Sequence, residues 1–457
     1  MARTVKKEKA LTLEEKLQQA LVPVEEQPYP VPRNWCWLYG KSFLSPMETR
    51  KPTGDFFNYI DIDSIDNIRQ AVTAPKHIEV SKAPSRASRA LHSGDTVFSM
   101  VRPYLKNIAF IDESIASSIA STGFYVCKPK ENVAPKYLYY LMISSYVVDG
   151  LNAYMKGDNS PSIRKEELEQ FPYPIPPLAE QHRIVSRIEG LFAKLDEAKE
   201  KAQAVVDEFE DRKAAILHKA FTGKLTEKWR KVHGIEKNSW KTTTIGECSY
   251  LITKGASPKW QGITYTNDRS QTLFVTSENI REGFFNWSKE KYLDNAINDI
   301  QKRSILHKGD VLLNIVGASI GRSAIFNRDC LANTNQAVCI VRVKLQLFNE
   351  YLCYYLNSPF ALLYYDDNKV ETARANISLT NIRDMSISLP SLQEQHEIVH
   401  ILSYLMNHDV SIKTGVEQII EYIDTMKKSI LARAFRGELG TNDPSDESAE
   451  ELLKRIL

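Results

Sequence analysis

Cysteine is scarce and unpatterned in this 457-residue chain. Cys36, Cys127, Cys248, Cys330, Cys339 and Cys353 show no paired short spacing, and Cys330 with Cys339 is too wide for a zinc knuckle. That excludes a disulfide framework and suits reduced residues in a cytoplasmic protein. Met1 to Ala10 is basic but lacks the apolar run of a signal peptide. The most apolar segment, Tyr137 to Val148, is interrupted by serines and too short to span a bilayer, so no membrane partner is expected. No Gly-x-Gly is present to cradle a dinucleotide or methyl donor, and no Asn-Pro-Pro or Asp-Pro-Pro run to grip a flipped base. Tyr39-Gly40-Lys41-Ser42 resembles the end of a phosphate loop, but Trp35 stands where the first glycine belongs and no strand clearly leads in. His396 and His400 share a helix spacing without a metalloprotease glutamate or a third ligand. No catalytic residue, metal site or cofactor is expected. A net charge of +2 is also short of the strongly basic balance that marks a nucleic-acid binder, so any such contact must come from local patches.

What the chain does have, it has twice. Leu178-Ala-Glu-Gln-His-Arg-Ile-Val185 opens a stretch that closes Ala220-Phe-Thr-Gly-Lys-Leu225; Leu392-Gln-Glu-Gln-His-Glu-Ile-Val399 opens another that closes Ala434-Phe-Arg-Gly-Glu-Leu439. Both pairs of ends stand 214 residues apart, so a rigid element has been duplicated without a gap. Ile184, Ile188, Leu191, Leu195, Ala198, Ala202, Val205, Phe209 and Ile216 keep a heptad rhythm broken at Arg212. Ile398, Leu402, Leu405, Asp409, Ile412, Val416, Ile419, Ile423, Met426 and Ile430 keep it in the second copy. Without internal proline, each reads as a long amphipathic helix, a rod of ~65–70 Å at 1.5 Å per residue. Ser391 and Glu394 form a candidate capping box, matched by Pro177 and Glu180; Gly223 and Gly437 mark the stops. Arg212 and Asp409 interrupt the two seams and are expected to face each other or a partner.

The segments around the helices repeat as well. Leu91-His-Ser-Gly94-Asp95 answers Leu306-His-Lys-Gly309-Asp310, and Tyr137-Leu138 answers Tyr351-Leu352. Phe57–Ile62, Thr96–Val101, Asn107–Ile111 and Gly123–Cys127 read as strands, and Lys136 to Val148 as one helix. The expected division is a tail and short helix (1–32, the helix at Leu13 to Leu21 after a disordered start to about 11), a first globular domain (33–176), a central helix (177–225), a second globular domain (226–389), a C-terminal long helix (390–440) and a tail with a short helix (441–457). Glu14-Glu15-Lys-Leu17 echoes Glu450-Glu451-Leu-Leu453, as in a chain closed into a pseudo-twofold ring. The fold class is α+β: two mixed α/β domains joined by two long coiled-coil helices.

The heads differ far more than their supports. From Lys76 to Asn107 six cations face two carboxylates. Ser81 to Arg89 reads as a loop presenting Lys82, Arg86 and Arg89, followed by Arg102 and Lys106. In the second head, Lys254, Lys259 and Trp260 form a similar loop, and Arg322, Asn335 and Gln336 add groups suited to base edges. These are the candidate DNA-binding residues, read as two loop sets at equivalent places in the duplication. A solvated surface is the plainer account of any one of them alone.

On the paired Leu-x-Glu-Gln-His openings, the Ala-Phe-x-Gly-x-Leu closings and the Gly-Asp strands, the chain resembles the specificity subunits of type I restriction-modification systems over nearly its full length. The resemblance implies two target-recognition domains, each reading one half of a split, asymmetric site in double-stranded DNA, joined by two antiparallel helices. It implies that the helices dock two methyltransferase subunits, through which two restriction and translocation subunits join, and that those partners carry the chemistry. Docking is expected near Gln181, His182, Gln395 and His396, where helix capping is the competing account. A related enzyme with methyltransferase and nuclease fused in one partner, and a coiled-coil scaffold without DNA, are the other readings.

Overall fold

A computed structural model describes residues 12–236, 239–370 and 374–456. The expected N-terminal tail, up to residue 11, lies outside the described residues. The two duplicated stretches are helices: Leu178–Phe221, 44 residues, and Leu392–Ala434, 43 residues. The chain divides into two compact units, one made of the residues up to Ala202 with those from Gln418 onward, the other of Gln203–Glu417. Each unit therefore holds one head and half of each long helix.

Inside each unit the helix segments run antiparallel. Asp196 pairs with Lys427, and the Lys199 Nζ lies 2.7 Å from Asp424, in the first unit. Glu210 pairs with Lys413 at 3.5 Å and Arg212 with Asp409 at 3.7 Å in the second. The two residues that interrupt the seams thus face each other. Such exposed pairs contribute at most ~1 kcal/mol each, so apolar burial decides the arrangement.

That burial is distributed differently from a simple seam. Ile184 and Ile188 pack into the first head, together with Leu431, Ala434 and Phe435 from the end of the other helix. Ile398, Val399 and Leu402 pack into the second head with Leu217, Ala220 and Phe221. Phe435 meets Tyr137 edge-on at 5.5 Å, and Phe221 meets Tyr351 at 5.3 Å. Each head core is thus completed by the start of one helix and the end of the other, which is why the opening and closing motifs recur together. Midway the expected seam opens: Val205, Ile419 and Met426 are 40%, 52% and 53% exposed.

The heads share one plan. In the first, Cys36–Tyr39 pairs antiparallel with Pro172–Ile175. A three-stranded antiparallel sheet contains Phe124–Cys127, Thr96–Ser99 and Ile108–Phe110. A four-stranded sheet runs in the order Lys76–Glu79, Phe56–Ile60, Ile119–Ser121, Ala87–Ala90, its middle pair parallel. In the second, Lys241–Thr244 pairs with Ser386–Leu389; Val338–Val343, Val311–Asn314 and Ser323–Ile325 match the three-stranded sheet, with Ser249–Lys254 added at its edge. The parallel pair returns as Thr272–Val275 with Ala332–Thr334.

Local chemistry explains the departures from the sequence reading. The expected single helix from Lys136 is two, Pro135–Ile143 and Ser145–Asn152, because Ser144 turns extended and caps the second through the Val147 amide. Ser358 does the same between Asn349–Leu356 and Pro359–Asn368. A strand does lead into Tyr39-Gly40-Lys41-Ser42, but Gly40 is there for packing: a Cβ would sit 2.6 Å from the Leu168 carbonyl. The short helices Leu13–Ala20 and Ala449–Ile456 both belong to the first unit and pack against its core.

The capping box at Ser391 is half made. Ser391 Oγ accepts from the Glu394 amide at 3.3 Å, but the Glu394 carboxylate accepts instead from Thr226 Oγ1 at 2.7 Å, Trp240 Nε1 at 2.9 Å and the buried Arg230 guanidinium. Its counterpart Glu180 accepts from Trp35 Nε1 at 2.7 Å, Asn442 Nδ2 at 2.8 Å and Thr441 Oγ1 at 3.2 Å. Both carboxylates are fully buried joints between helix and head, one with a cation and one with neutral donors alone.

Candidate nucleic-acid interface

In each head a tight turn leaves an inner strand, Thr96–Ser99 in the first and Val311–Asn314 in the second, and is strapped by a hairpin. In the first, Val101 bridges Ser162, Lys156 bridges Ser162, and the Arg102 amide donates to Pro161 O at 2.8 Å. In the second, Val316 bridges Asn376, Val370 bridges Asn376, and the Gly317 amide donates to Ala375 O at 2.8 Å. The same backbone device thus presents Arg102 to Lys106 in one head and Gly317 to Arg322 in the other.

In the second head the device opens a cleft of about 950 Å³ that gathers Arg322, Asn335 and Gln336 with Lys369, Arg374 and Ser277. The loop carrying Lys259 and Trp260 is pinned to it, while Lys254, expected on the same loop, is the last residue of the strand that leads in. The Gly255 amide donates to Asn335 O at 3.2 Å, and a Cβ at Gly255 would lie 1.7 Å from Thr334 O, so only glycine permits the approach. Gln301 holds the loop from behind, its Oε1 accepting from the Ala256 amide at 2.8 Å and its Nε2 donating to Gln261 Oε1 at 2.7 Å. Trp260 stands 84% exposed on this loop, an aromatic face available for stacking. Arg322, Asn335 and Gln336 therefore share one cleft, and the segment with the other three second-head candidates is joined to it through the main chain at Gly255. Asn333, which adjoins them in sequence, is buried and bonds Asn298 and Ser304 instead.

The first-head candidates divide. Arg102 and Lys106 lie on the strapped turn, where Arg102 Nη2 donates to the Asn159 carbonyl at 2.7 Å. Lys82 is on the surface, 2.8 Å from Glu79. Arg86 is exposed, and its carbonyl accepts from Thr122, whose neighbour Gly123 accepts from Met100 beside the turn. Arg89 is not on a loop: Ala87–Ala90 is a strand paired with Ile119–Ser121, and Arg89 Nε is buried without a partner among the described residues. The two basic loops also do not correspond. Residues 81–86 join Lys76–Glu79 to Ala87–Ala90 in one sheet of the first head, whereas 255–262 follows the edge strand Ser249–Lys254, which belongs to the other kind of sheet in the second. That corrects the expectation of equivalent loop sets, and the strapped turns are what the repeat places alike.

The Gly-Asp motifs close the turns that lead into the same inner strands. Asp95 Oδ2 accepts from the His92 amide at 2.8 Å and Asp310 Oδ2 from His307 at 2.7 Å. Asp310 also holds Arg342 through contacts of 2.7 and 2.8 Å, and this hydrogen-bonded pairing raises the arginine pKa. Burial raises the Asp95 pKa, with the His92 amide opposing.

The docking candidates separate as well. Gln181 is buried; its Oε1 accepts from the Ala134 amide at 2.7 Å and its Nε2 donates to Asn132 and Pro176 carbonyls. Gln395 repeats this with Phe348, Gln346 and Pro390. These glutamines tie helix to head and are closed to a partner, so the docking expectation does not hold for them. His182 is exposed on a trough of about 800 Å³ with Arg183, Arg187 and Lys194. His396 is exposed beside the Phe348 ring at 4.1 Å, in line with His400, Tyr404 and His408. Among the described residues no group of three or more His, Cys, Asp or Glu could hold a metal ion, and no helix is long and apolar enough to cross a membrane.

The family model for the type I restriction modification DNA specificity domain matches residues 46–206 and again 240–422. The type I restriction enzyme EcoBI specificity subunit of Escherichia coli is 27% identical over 325 residues, 69% of this chain and 68% of that protein. The StySPI specificity subunit of Salmonella potsdam is 25% identical over 318 residues, 68% of this chain and 67% of its own. A chain from structural work on complex assembly and conformational transition of the type I R-M system superposes with a TM-score of 0.76 at 26% identity, covering 90% of this chain and 100% of that one. The HsdS subunit of Thermoanaerobacter tengcongensis superposes with a TM-score of 0.61 at 25% identity, covering 90% and 99%.

Proposed function

This chain belongs to the type I restriction modification DNA specificity family, and from that premise we propose that each of its heads reads one half of a split, asymmetric site in double-stranded DNA. The observation that carries the reading is the pair of strapped turns: equal backbone devices at equivalent places, furnished with unequal polar side chains. Lysines meet phosphates and set the register, while Arg102 in one head and Arg322, Asn335 and Gln336 in the other meet base edges. Unequal readers require unequal half-sites.

The long helices serve as spacer and as docking surface. An unread gap between half-sites follows from fixing two readers on continuous helices of 44 and 43 residues. Two methyltransferase subunits dock on the exposed helix faces, around His182 and the neighbouring cations and around His396, with apolar Tyr404, Ile419, Tyr422 and Met426 left outward for them. Two restriction and translocation subunits join through the methyltransferases, and methyl transfer and ATP-driven cleavage belong to those partners. The chain itself carries neither catalytic group nor cofactor in this reading.

Single-molecule methylation sequencing tests it. Genomic DNA from cells carrying this gene with its neighbours is compared with DNA from cells lacking this gene alone. Loss of adenine methylation at one split, asymmetric motif is the expected result; unchanged methylation, with the neighbouring methyltransferase expressed, refutes it.

A further inference from the structure

Three residues other than glycine have positive φ among the described residues: Gln70 at 53°, Arg102 at 47° and Lys106 at 57°. All three lie in the first head, and they lie together. Asn67, in the turn before Gln70, donates through Nδ2 to Leu105 O at 3.0 Å, between Arg102 and Lys106. Left-handed backbone is unfavourable for any residue with a Cβ, and Arg102 stands before Pro103, where the backbone is restricted further. Strain of this kind persists where something selects the side chain.

The second head shows that the geometry itself needs no side chain. At the places equivalent to Arg102 and Lys106 it has Gly317 and Gly321, with φ of 83° and 94°. In the turn that answers the Gln70 turn, between Ile280 and Phe285, it has Gly283 with φ of 84°. Glycine adopts this conformation without steric cost. The first head therefore keeps an arginine and a lysine at two positions where its own duplicate manages with glycine, and places Gln70 at positive φ one residue beyond the place that Gly283 takes in the corresponding turn.

None of the three is retained for the core. Arg102 is exposed, and Gln70 and Lys106 are half-buried at the rim. The turn around them is closed by main-chain bonds a glycine would keep, Leu105 N to Arg102 O at 2.9 Å, Lys106 N to Pro103 O at 2.9 Å and Ile108 N to Lys106 O at 2.8 Å, and a glycine at 102 gives up the exposed bond from Arg102 Nη2 to the Asn159 carbonyl. Tyr139 donates to the Gln70 carbonyl at 3.2 Å, again a main-chain group. Around them stand Ile68, 86% exposed, with Arg69 and Tyr104, a surface of cations and short apolar tips.

We infer that Gln70, Arg102 and Lys106 are the specificity-determining set of the first head, held at the expense of backbone strain so that they project into its half-site. The inference rests on the proposed DNA reading and says which side chains perform it. Arg102 presents a planar fork for the N7 and O6 acceptors of guanine, and Gln70 an amide for adenine. Lys106, a compact charge, takes a phosphate and fixes the turn on the backbone.

The test uses Gln70→Gly, Arg102→Gly and Lys106→Gly in the full chain, assembled with its methyltransferase subunits. Melting temperature, affinity for a duplex with the methylated motif and for a scrambled duplex, and the motif methylated in cells are all measured. Glycine relieves the strain, so the melting temperature stays level or rises. Arg102→Gly and Gln70→Gly each lower the preference for the motif duplex by about tenfold, within the usual range for a lost base contact, and leave one half of the motif degenerate. Lys106→Gly weakens binding to both duplexes and flattens the slope of log K against log salt by about 0.9. Asparagine, which tolerates left-handed backbone, replaces glycine wherever a glycine variant does not fold. Variants that melt lower yet keep the full preference overturn the inference, since the side chains would then be structural. A wild type that discriminates while all three variants match it overturns the inference alone; a wild type that does not discriminate overturns the DNA reading beneath it.

Discussion

Exchanging Glu394 for glutamine, and separately Glu180 for glutamine, tests whether the two buried joints are held by different physics. In the second unit Glu394 is fully buried against Arg230, itself only 4% exposed, so Glu394→Gln leaves a guanidinium without a countercharge. Breaking one side of such a pair costs about 3–5 kcal/mol, although the intact pair itself adds little net stability. For a unit of roughly 200 residues, about 2–4 °C per kcal/mol converts this to a fall of roughly 6–20 °C in melting temperature. In the first unit Glu180 meets the Trp35 indole, the Asn442 amide and the Thr441 hydroxyl. Glutamine keeps one acceptor oxygen there, and the Thr441 hydroxyl turns to accept from the new amide, so the loss stays below about 1.5 kcal/mol. Differential scanning calorimetry supplies the temperatures. Tryptophan emission reports the site, because Trp240 and Trp35 each donate to one of these carboxylates. Equal losses at the two positions, or no loss at Glu394, would refute the assignment of the charge pair.

Other substitutions follow the same reasoning. Asp310→Asn strips the partner from Arg342 and should cost about 1.5–3 kcal/mol in the second unit, read by urea denaturation. Asp95→Asn should be level or stabilising at neutral pH, because burial already favours the neutral acid; correspondingly, the wild-type contribution at Asp95 improves as pH falls from above its raised folded value towards the ordinary carboxylate value, a trend absent from the variant. Gln181→Ala or Gln395→Ala leaves a head amide and two carbonyls without partners and should cost about 2–3 kcal/mol, read by denaturation midpoints. Asp409→Leu installs the residue that Leu195 supplies in the first copy, and removes a buried carboxylate oxygen that has no hydrogen-bond partner among the described residues; a higher melting temperature is expected.

The helices were legible because their apolar period is long and the text is written twice. The duplication also announced that both heads share a plan. Their joints were hidden: Glu180 and Glu394 sit in capping positions, and local spacing gives no sign of Trp35 or Arg230, which come from distant sequence. Gln181 and Gln395 misled for a related reason, since a recurring polar pair on a helix looks the same whether it faces a partner or its own head. Among the residues proposed to read bases, Arg322, Asn335 and Gln336 were findable by residue type. Gln70 was not, because nothing in an isolated glutamine reveals positive φ; for Arg102 and Lys106 the signal lay in comparing copies, where Gly317 and Gly321 stand opposite long polar side chains. Arg89 was misplaced because strand Ala87–Ala90 is short and carries serine and arginine, which read as loop composition.

Replacing residues 33–175 with the matching segment of another family member, followed by methylation sequencing of the host genome, tests the central claim most directly. The account predicts a new sequence in one half of the methylated motif, with the other half and the length of the gap unchanged. A motif altered in both halves, or left as it was by a chain that folds and assembles, would contradict it.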